Sequence, residues 1–182
     1  MPFAAADRPL KLNLALWGPS GAGKTYTSLA LARRLGSRVA VVDTEHGASR
    51  LYASRFPHDS LVLDAPFGPE RFRELLAEAE RAGYHVLVID SLSPEWGGPG
   101  GCLDLVAGLR QQGHKPHQAW GLVTPRHDAL LDAINRSPLS VIVTLREKPR
   151  LQLVGDAPSV PEPVMRDRFE YEYDLVLHLT PT

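Results

Sequence analysis

Residues 18–25 of this chain have the spacing of a loop that binds phosphate groups. They read Gly-Pro-Ser-Gly-Ala-Gly-Lys-Thr and match the pattern G-x-x-x-x-G-K-[ST]. The glycines let such a backbone curl until its N–H groups point at phosphate oxygens, and a helix that starts directly after it adds the positive end of its dipole. We predict that Lys24 reaches the β- and γ-phosphates of a nucleotide and that the Thr25 hydroxyl binds Mg²⁺. The residues predicted to contact the nucleotide form one run: Gly18, Pro19, Ser20, Gly21, Ala22, Gly23, Lys24, Thr25 and Tyr26.

Asp90 is a second candidate for a magnesium ligand. It ends the apolar run of residues 86–89, so a strand over this run would place its carboxylate at the sheet edge where the phosphate loop also lies. A carboxylate there can hold Mg²⁺ directly or through water. The alternative interpretation is an aspartate that caps the turn at Ser91.

Glu45 is the candidate for the group that handles water. Hydrolysis needs a side chain that orients or deprotonates the attacking water. Residues 43–46, Asp-Thr-Glu-His, lie at the end of a β-branched run that would form a strand beside the one ending at Asp90. In this interpretation Asp43 helps to place Glu45 or the magnesium. The alternative is that Asp43 or Thr44 caps a helix over residues 47–55.

The elements that must position these residues alternate along the chain. We predict strands over residues 12–17, 38–43, 61–63, 85–90, 139–145 and 175–179. We predict helices over residues 24–35, 69–82, 102–112 and 126–136. Residues 93–101 and 149–163 are rich in glycine or proline and are expected to be loops. This alternation predicts an α/β fold with a mostly parallel central sheet and helices on both faces, formed by residues 11–182 as one domain after a disordered tail of residues 1–10.

Composition excludes several classes of protein. The chain has 182 residues, with 20 basic and 21 acidic side chains, and is 43% apolar. No apolar run approaches the ~18 residues of a membrane span, so no membrane partner is expected. Cys102 is the only cysteine, which excludes an intrachain disulfide and a multi-cysteine zinc site and favours a cytoplasmic location.

These motifs together resemble the ATPase core of RecA-type recombinases. The resemblance spans roughly residues 11–180 and depends on five matching segments. They are Val-Val-Asp-Thr-Glu-His (41–46), Leu-Tyr-Ala (51–53), Val-Leu-Val-Ile-Asp-Ser (86–91), Ile-Asp-Ser-Leu-Ser-Pro-Glu-Trp (89–96) and Glu-Tyr-Glu-Tyr-Asp (170–174). The last two are most similar to short, phage-type RecA-like ATPases that assist single-strand annealing and recombination. The resemblance implies a P-loop ATPase with ATP and Mg²⁺ as cofactors, which acts on single-stranded DNA as a homo-oligomer. It also implies that Glu45 activates water and that Asp90 holds the magnesium.

Two departures from the recombinases change what is expected of this chain. Recombinases carry a polar sensor, usually Gln, where this chain has Thr144. Because Thr is shorter, we assign γ-phosphate sensing to Arg146 as well. The additional domains of full-length recombinases are absent from the sequence, so strand exchange is not expected.

The resemblance also implies two segments that face DNA, residues 92–101 and residues 146–168. The first contains Trp96, which either stacks on a base or anchors the loop by packing. The second contains five basic and four acidic residues, so its charge alone does not indicate DNA binding. The alternative for this segment is a solvated hairpin. Tyr171 and Tyr173 alternate with acidic residues and are typical of an edge strand.

Two other functions fit the phosphate loop. A small-molecule kinase would need an arginine-rich lid, which residues 146–150 resemble, although Glu45 fits water activation better. A nucleotide-dependent assembly module would use ATP to close a subunit interface, with hydrolysis incidental.

Overall fold

The structure is a computed structural model that describes residues 11–149 and 161–181. The tail predicted for residues 1–10 lies outside the described residues. So do residues 150–160 of the second segment predicted to face DNA.

Strands and helices alternate along the chain, but residues 93–101 and 149–163 are not wholly loops as expected. Ser93–Gly97 form a short helix, and Pro161–Pro163 form a short strand. The strands are β1 (Asn13–Gly18), β2 (Val39–Asp43), β3 (Asp59–Val62), β4 (Val86–Asp90), β5 (Ser140–Pro149), β6 (Pro161–Pro163) and β7 (Leu175–His178). The α-helices are α1 (Lys24–Leu35), α2 (Pro69–Arg81), α3 (Ser93–Gly97), α4 (Cys102–Gln111) and α5 (Pro116–Arg136). Two short 3₁₀ helices cover Ala48–Tyr52 and Phe169–Glu172.

One sheet contains all seven described strands. Its order is β3-β2-β4-β5-β1-β7, and every neighbouring pair in that path is parallel. The short β6 pairs only with the far end of β5 and is antiparallel to it. The predicted α/β fold with a mostly parallel central sheet is confirmed. Because the strands are parallel, the ends of β1, β2, β4 and β5 meet at one edge.

Helices cover both faces of the sheet. Successive residues of β4 alternate between two buried clusters: Leu87 and Ile89 pack with α2 and α5, while Val86 and Val88 pack with α1. This alternation follows from the two-residue period of a strand. It explains why the sequence of β4 is apolar without interruption, since neither of its faces meets water.

The structure corrects the start of one predicted helix and the end of one predicted strand. Helix α5 begins at Pro116 instead of residue 126, and Pro125 lies inside it. Gly121 and Pro125 are residues that usually interrupt helices, so the sequence did not indicate the first half of α5. Ala119 and Val123 nevertheless continue the buried face of the helix. Strand β5 extends to Pro149 because its last three residues pair with β6.

Tyr171 and Tyr173 do not form the predicted edge strand. Residues 169–172 are a 3₁₀ helix that leaves the Tyr171 side chain 80% exposed. The Tyr173 ring packs near Phe169 and its hydroxyl is buried. The Phe169 and Tyr173 rings pack against the core, and this packing turns the chain before β7 starts. The alternation of tyrosines with acidic residues in the sequence does not reveal it.

Within residues 11–149 and 161–181, every helix is too short or too polar to span a bilayer.

Candidate nucleotide-binding site

The phosphate loop has the strand–loop–helix context that its function requires. Strand β1 ends at Gly18, and α1 begins at Lys24. Gly21 and Gly23 have φ angles of 81° and 83°, a left-handed conformation that favours glycine. The Lys24 ammonium donates to the carbonyl oxygens of Gly18 (2.9 Å) and Pro19 (2.8 Å), so it lies across the curl of its own loop. Burial lowers the pKa of Lys24, although the nearby carboxylates of Asp90 and Glu45 act in the opposite direction.

Gly18 holds the start of this loop against the end of β7. A Cβ atom on Gly18 would lie 2.2 Å from the carbonyl oxygen of Leu179, a backbone atom that cannot move aside easily. The Leu179 N–H in turn donates to the Trp17 carbonyl at 2.8 Å. The loop can therefore begin here only with glycine.

Replacement of Gly18 with Ala is expected to destabilise the protein and to weaken nucleotide binding at least ~10-fold. Overpacking of this kind costs about 1–3 kcal/mol, which lowers Tm by roughly 3–10 °C in a domain of this size. Thermal unfolding with and without Mg-ATP measures both effects. The matched control is Gly108→Ala in α4, where a Cβ would meet nothing within 4 Å and where Ala favours the helix. An unchanged Tm and an unchanged ATP-dependent shift in Gly18→Ala would contradict this role.

Asp90 lies at the end of β4 and receives two hydroxyl groups. Thr25 Oγ1 donates to Asp90 Oδ2 at 2.6 Å, and Thr144 Oγ1 donates to Asp90 Oδ1. Asp90 is 2% exposed, and burial raises the pKa of its carboxyl despite both of these hydrogen bonds. The turn at Ser91 is held by Thr44 instead, whose hydroxyl accepts from the Ser91 N–H at 2.8 Å. The Asp90 carboxylate is thus directed at the phosphate loop.

Asp43 is the cap that the alternative interpretation expected. Its fully buried carboxylate accepts backbone N–H groups of Glu45 (2.8 Å), Gly47 (3.1 Å) and Ser49 (2.9 Å). These bonds start the 3₁₀ helix at Ala48 and also fix the backbone of Glu45. Asp43 pairs with Asp90 in the register of β2 and β4, so Glu45 follows the strand neighbouring the one that carries Asp90.

The Glu45 side chain is paired with Arg146. The Arg146 Nε and Nη2 atoms donate to the two carboxylate oxygens of Glu45 at 2.8 and 2.9 Å. The Ser91 hydroxyl adds a third hydrogen bond of 2.9 Å. Two residues for which the sequence predicted separate roles are therefore in direct contact. Thr144, the other predicted sensor, is fully buried beneath Asp90.

These side chains line one cleft of about 430 Å³. The cleft wall includes most of the predicted residues: Gly18, Ser20, Gly21, Gly23, Lys24, Thr25, Tyr26, Glu45, Asp90 and Arg146. Pro19, Ala22 and Thr144 do not line it, and the contribution of Pro19 is the carbonyl oxygen that Lys24 binds.

Three further residues of the wall were not among the predicted ones: Ala48, Tyr52 and Glu147. Tyr52 packs edge-on against Tyr26 with ring centroids 5.9 Å apart, which makes one end of the cleft aromatic. It lies in the segment 51–53 that carries part of the family resemblance, which was the available signal.

The donor atoms suit a magnesium nucleotide. Thr25 Oγ1 and the Asp90 carboxylate are hard oxygen ligands of the type that Mg²⁺ prefers. Lys24 and the N-terminal end of α1 supply positive charge beside them.

Several described residues of the two segments predicted to face DNA make contacts within the protein. Trp96 is half-buried and stacks on Trp120 with ring centroids 5.8 Å apart and an interplanar angle of 25°. This contact favours the anchoring interpretation of Trp96. In the second segment, Lys148 pairs with Glu162 and Arg166 with Asp128.

The sequence matches a family model described as an AAA domain over residues 10–182. Among solved structures, the crystal structure of the RadB recombinase is similar to this chain, with 19% sequence identity and a TM-score of 0.47. That similarity covers 94% of this chain and 76% of the RadB chain. No curated protein matches the sequence. The family match includes every residue of the cleft.

Proposed function

This chain belongs to the AAA domain family, and we propose that it is a RecA-like P-loop ATPase that binds and hydrolyses Mg-ATP while acting on single-stranded DNA in phage-type recombination or annealing. One observation carries the catalytic part of this proposal. Side chains from four parts of the sheet edge meet in a single cleft: Lys24 and Thr25 after β1, Glu45 after β2, Asp90 at the end of β4 and Arg146 in β5.

Each of these residues has a distinct task in the proposed reaction. Lys24 leaves the carbonyl oxygens of its own loop and binds the β- and γ-phosphates. Thr25 Oγ1 and the Asp90 carboxylate, which are hydrogen-bonded to each other, would hold Mg²⁺, and the ion would neutralise charge on the phosphates. Thr144 positions Asp90 through its buried hydroxyl.

Glu45 orients the attacking water and accepts its proton. For this it must release Arg146, which holds both carboxylate oxygens. Arg146 is half exposed and lines the cleft, so it can exchange Glu45 for the γ-phosphate without unfolding any element. The pair therefore keeps Glu45 engaged until Arg146 has an anionic partner in the cleft.

The proposals of DNA binding and of a homo-oligomer rest on the family resemblance. Lys148 and Arg166 each have an acidic partner, so DNA phosphates would have to displace Glu162 and Asp128. Surface ion pairs of this kind contribute only ~0–1 kcal/mol, which makes such an exchange inexpensive. Binding through phosphates must weaken as salt rises.

The steady-state rate of ATP hydrolysis, with and without excess single-stranded DNA at low salt, tests the proposal. We expect Mg²⁺-dependent hydrolysis that DNA stimulates, with stimulation lost at high salt. A Lys24→Ala protein purified in the same way is the control for contaminating ATPases.

Other outcomes of this assay separate the alternatives. A hydrolysis rate that does not change when single-stranded DNA is added would overturn the DNA-directed part of the proposal. The assembly module would be favoured if ATP turnover is negligible and a non-hydrolysable ATP analogue makes the protein oligomerise, as measured by size-exclusion chromatography. Transfer of phosphate to a nucleoside or metabolite would favour the kinase.

A further inference from the structure

A second group of reactive side chains lies away from the cleft, beneath the helices that follow β4. It consists of Glu95 in α3, Cys102 at the start of α4 and His127 in α5. One ligand atom from each residue lies within 4.8 Å of the other two. All three residues are 0–1% exposed, and none has a role in the proposed ATPase reaction. Their types, a carboxylate, a thiol and an imidazole, are those that bind zinc in proteins.

The geometry of the cluster is close to that of a tetrahedral metal site. Glu95 Oε1 lies 3.2 Å from Cys102 Sγ, and both Glu95 oxygens lie 3.0 and 3.1 Å from His127 Nδ1. Ligand lengths of ~2.0–2.3 Å to zinc place neighbouring ligand atoms roughly 3.3–3.5 Å apart. The two pairs that include Glu95 therefore need to separate by only a few tenths of an ångström. Each of the three residues supplies one ligand atom, and water would take the fourth position of a four-coordinate zinc.

Charge balance favours a divalent ion at this place. A metal-bound thiol is deprotonated, so Cys102 and Glu95 would each contribute one negative charge and a neutral His127 none. A divalent cation makes the sum zero, whereas isolated charges are costly at a fully buried position. The thiol proton is released to solvent when the metal binds.

We propose that Glu95, Cys102 and His127 form a mononuclear zinc site. Its ligands come from three helices, so the metal would link α3 to α4 and α5. Helix α3 starts three residues after Asp90, and its Ser93 hydroxyl accepts from the Arg146 N–H at 2.8 Å. The metal therefore stabilises the segment between the two strands that carry Asp90 and Arg146. Since the ligands are buried, the ion is taken up during folding.

Metal analysis and cobalt substitution test this proposal without an activity assay. Protein purified from zinc-supplemented cells is expected to contain about one zinc per chain after removal of loosely bound metal. After refolding with Co²⁺, the protein should show the visible bands of tetrahedral cobalt together with a near-ultraviolet thiolate-to-cobalt band. Mg²⁺ ligands around the phosphates include no thiolate, so the ATP site cannot produce that band.

Variants assign the signals to the cluster. Cys102→Ser should abolish the thiolate band, and His127→Gln should lower the zinc content to below about one-tenth per chain. The matched control is His117→Gln, an exposed histidine of the same helix, which should retain one zinc. Folded wild-type protein without zinc and without the thiolate band after cobalt refolding would overturn the proposal, whether or not the variants fold. If the protein contains no zinc but hydrolyses ATP, only the zinc-site proposal is contradicted and the proposed ATPase function is unaffected.

Discussion

Replacing Glu45 with Gln is expected to reduce steady-state ATP hydrolysis at least ~100-fold while ATP binding remains near that of the wild type. The amide keeps the size of the side chain and can still accept a hydrogen bond from Ser91 or Arg146, but it cannot take a proton from water. None of the predicted phosphate contacts involves Glu45. Hydrolysis measured beside equilibrium binding of a fluorescent ATP analogue separates the two effects.

The matched control for this substitution is Glu74→Gln. Glu74 forms an exposed ion pair with Arg71 on α2 and does not line the cleft, so its loss should leave the rate unchanged. Full turnover in Glu45→Gln would remove the proposed base. Loss of ATP binding together with turnover would instead assign Glu45 to nucleotide affinity.

Asp90→Asn is expected to lower the Mg²⁺-dependent hydrolysis rate by at least about 100-fold, or about 2.7 kcal/mol, and at the same time to raise the thermal stability of the nucleotide-free protein. The activity falls because a neutral amide is a poor magnesium ligand. The stability rises because the substitution removes an ionised carboxylate that burial disfavours. An increase of ~1 kcal/mol corresponds to roughly 2–4 °C in Tm.

The pH dependence of this stability difference has a definite sign. Burial raises the pKa of Asp90 in the folded protein above its value in the unfolded chain. Above the folded pKa, the ionised carboxylate therefore costs folding free energy, and that cost disappears as pH falls through the folded pKa. The Tm advantage of Asp90→Asn should be largest near neutral pH and shrink on acidification.

Asp132→Asn is the control for the Asp90 variant. Asp132 is an exposed residue paired with Arg136 on α5, so its amide should change neither the rate nor the Tm appreciably. A lower Tm for Asp90→Asn at neutral pH would contradict a desolvated carboxylate. Unchanged magnesium dependence would contradict its role as a ligand.

The sequence alone was sufficient to predict the phosphate loop and the class of fold. The loop is local: its glycines, Lys24 and Thr25 are contiguous, and their spacing requires one backbone path between a strand and a helix. The alternation of apolar strands with amphipathic helices is also local, because each period is visible within about ten residues. For the same reason the sequence identified Asp90 and Glu45 as residues at strand ends.

The tertiary structure decided which side chains meet. Arg146 pairs with Glu45 across 101 residues, and Thr144 reaches Asp90 across 54, because β4 lies between β2 and β5 in the sheet. No local pattern specifies that strand order. Glu95 and His127 are likewise brought together only when α3 packs against a helix that the sequence predicted ten residues too short. Spacing along the chain thus determined the chemistry at each strand end. Packing of distant elements, with the burial it imposes, determined the partner of each charge.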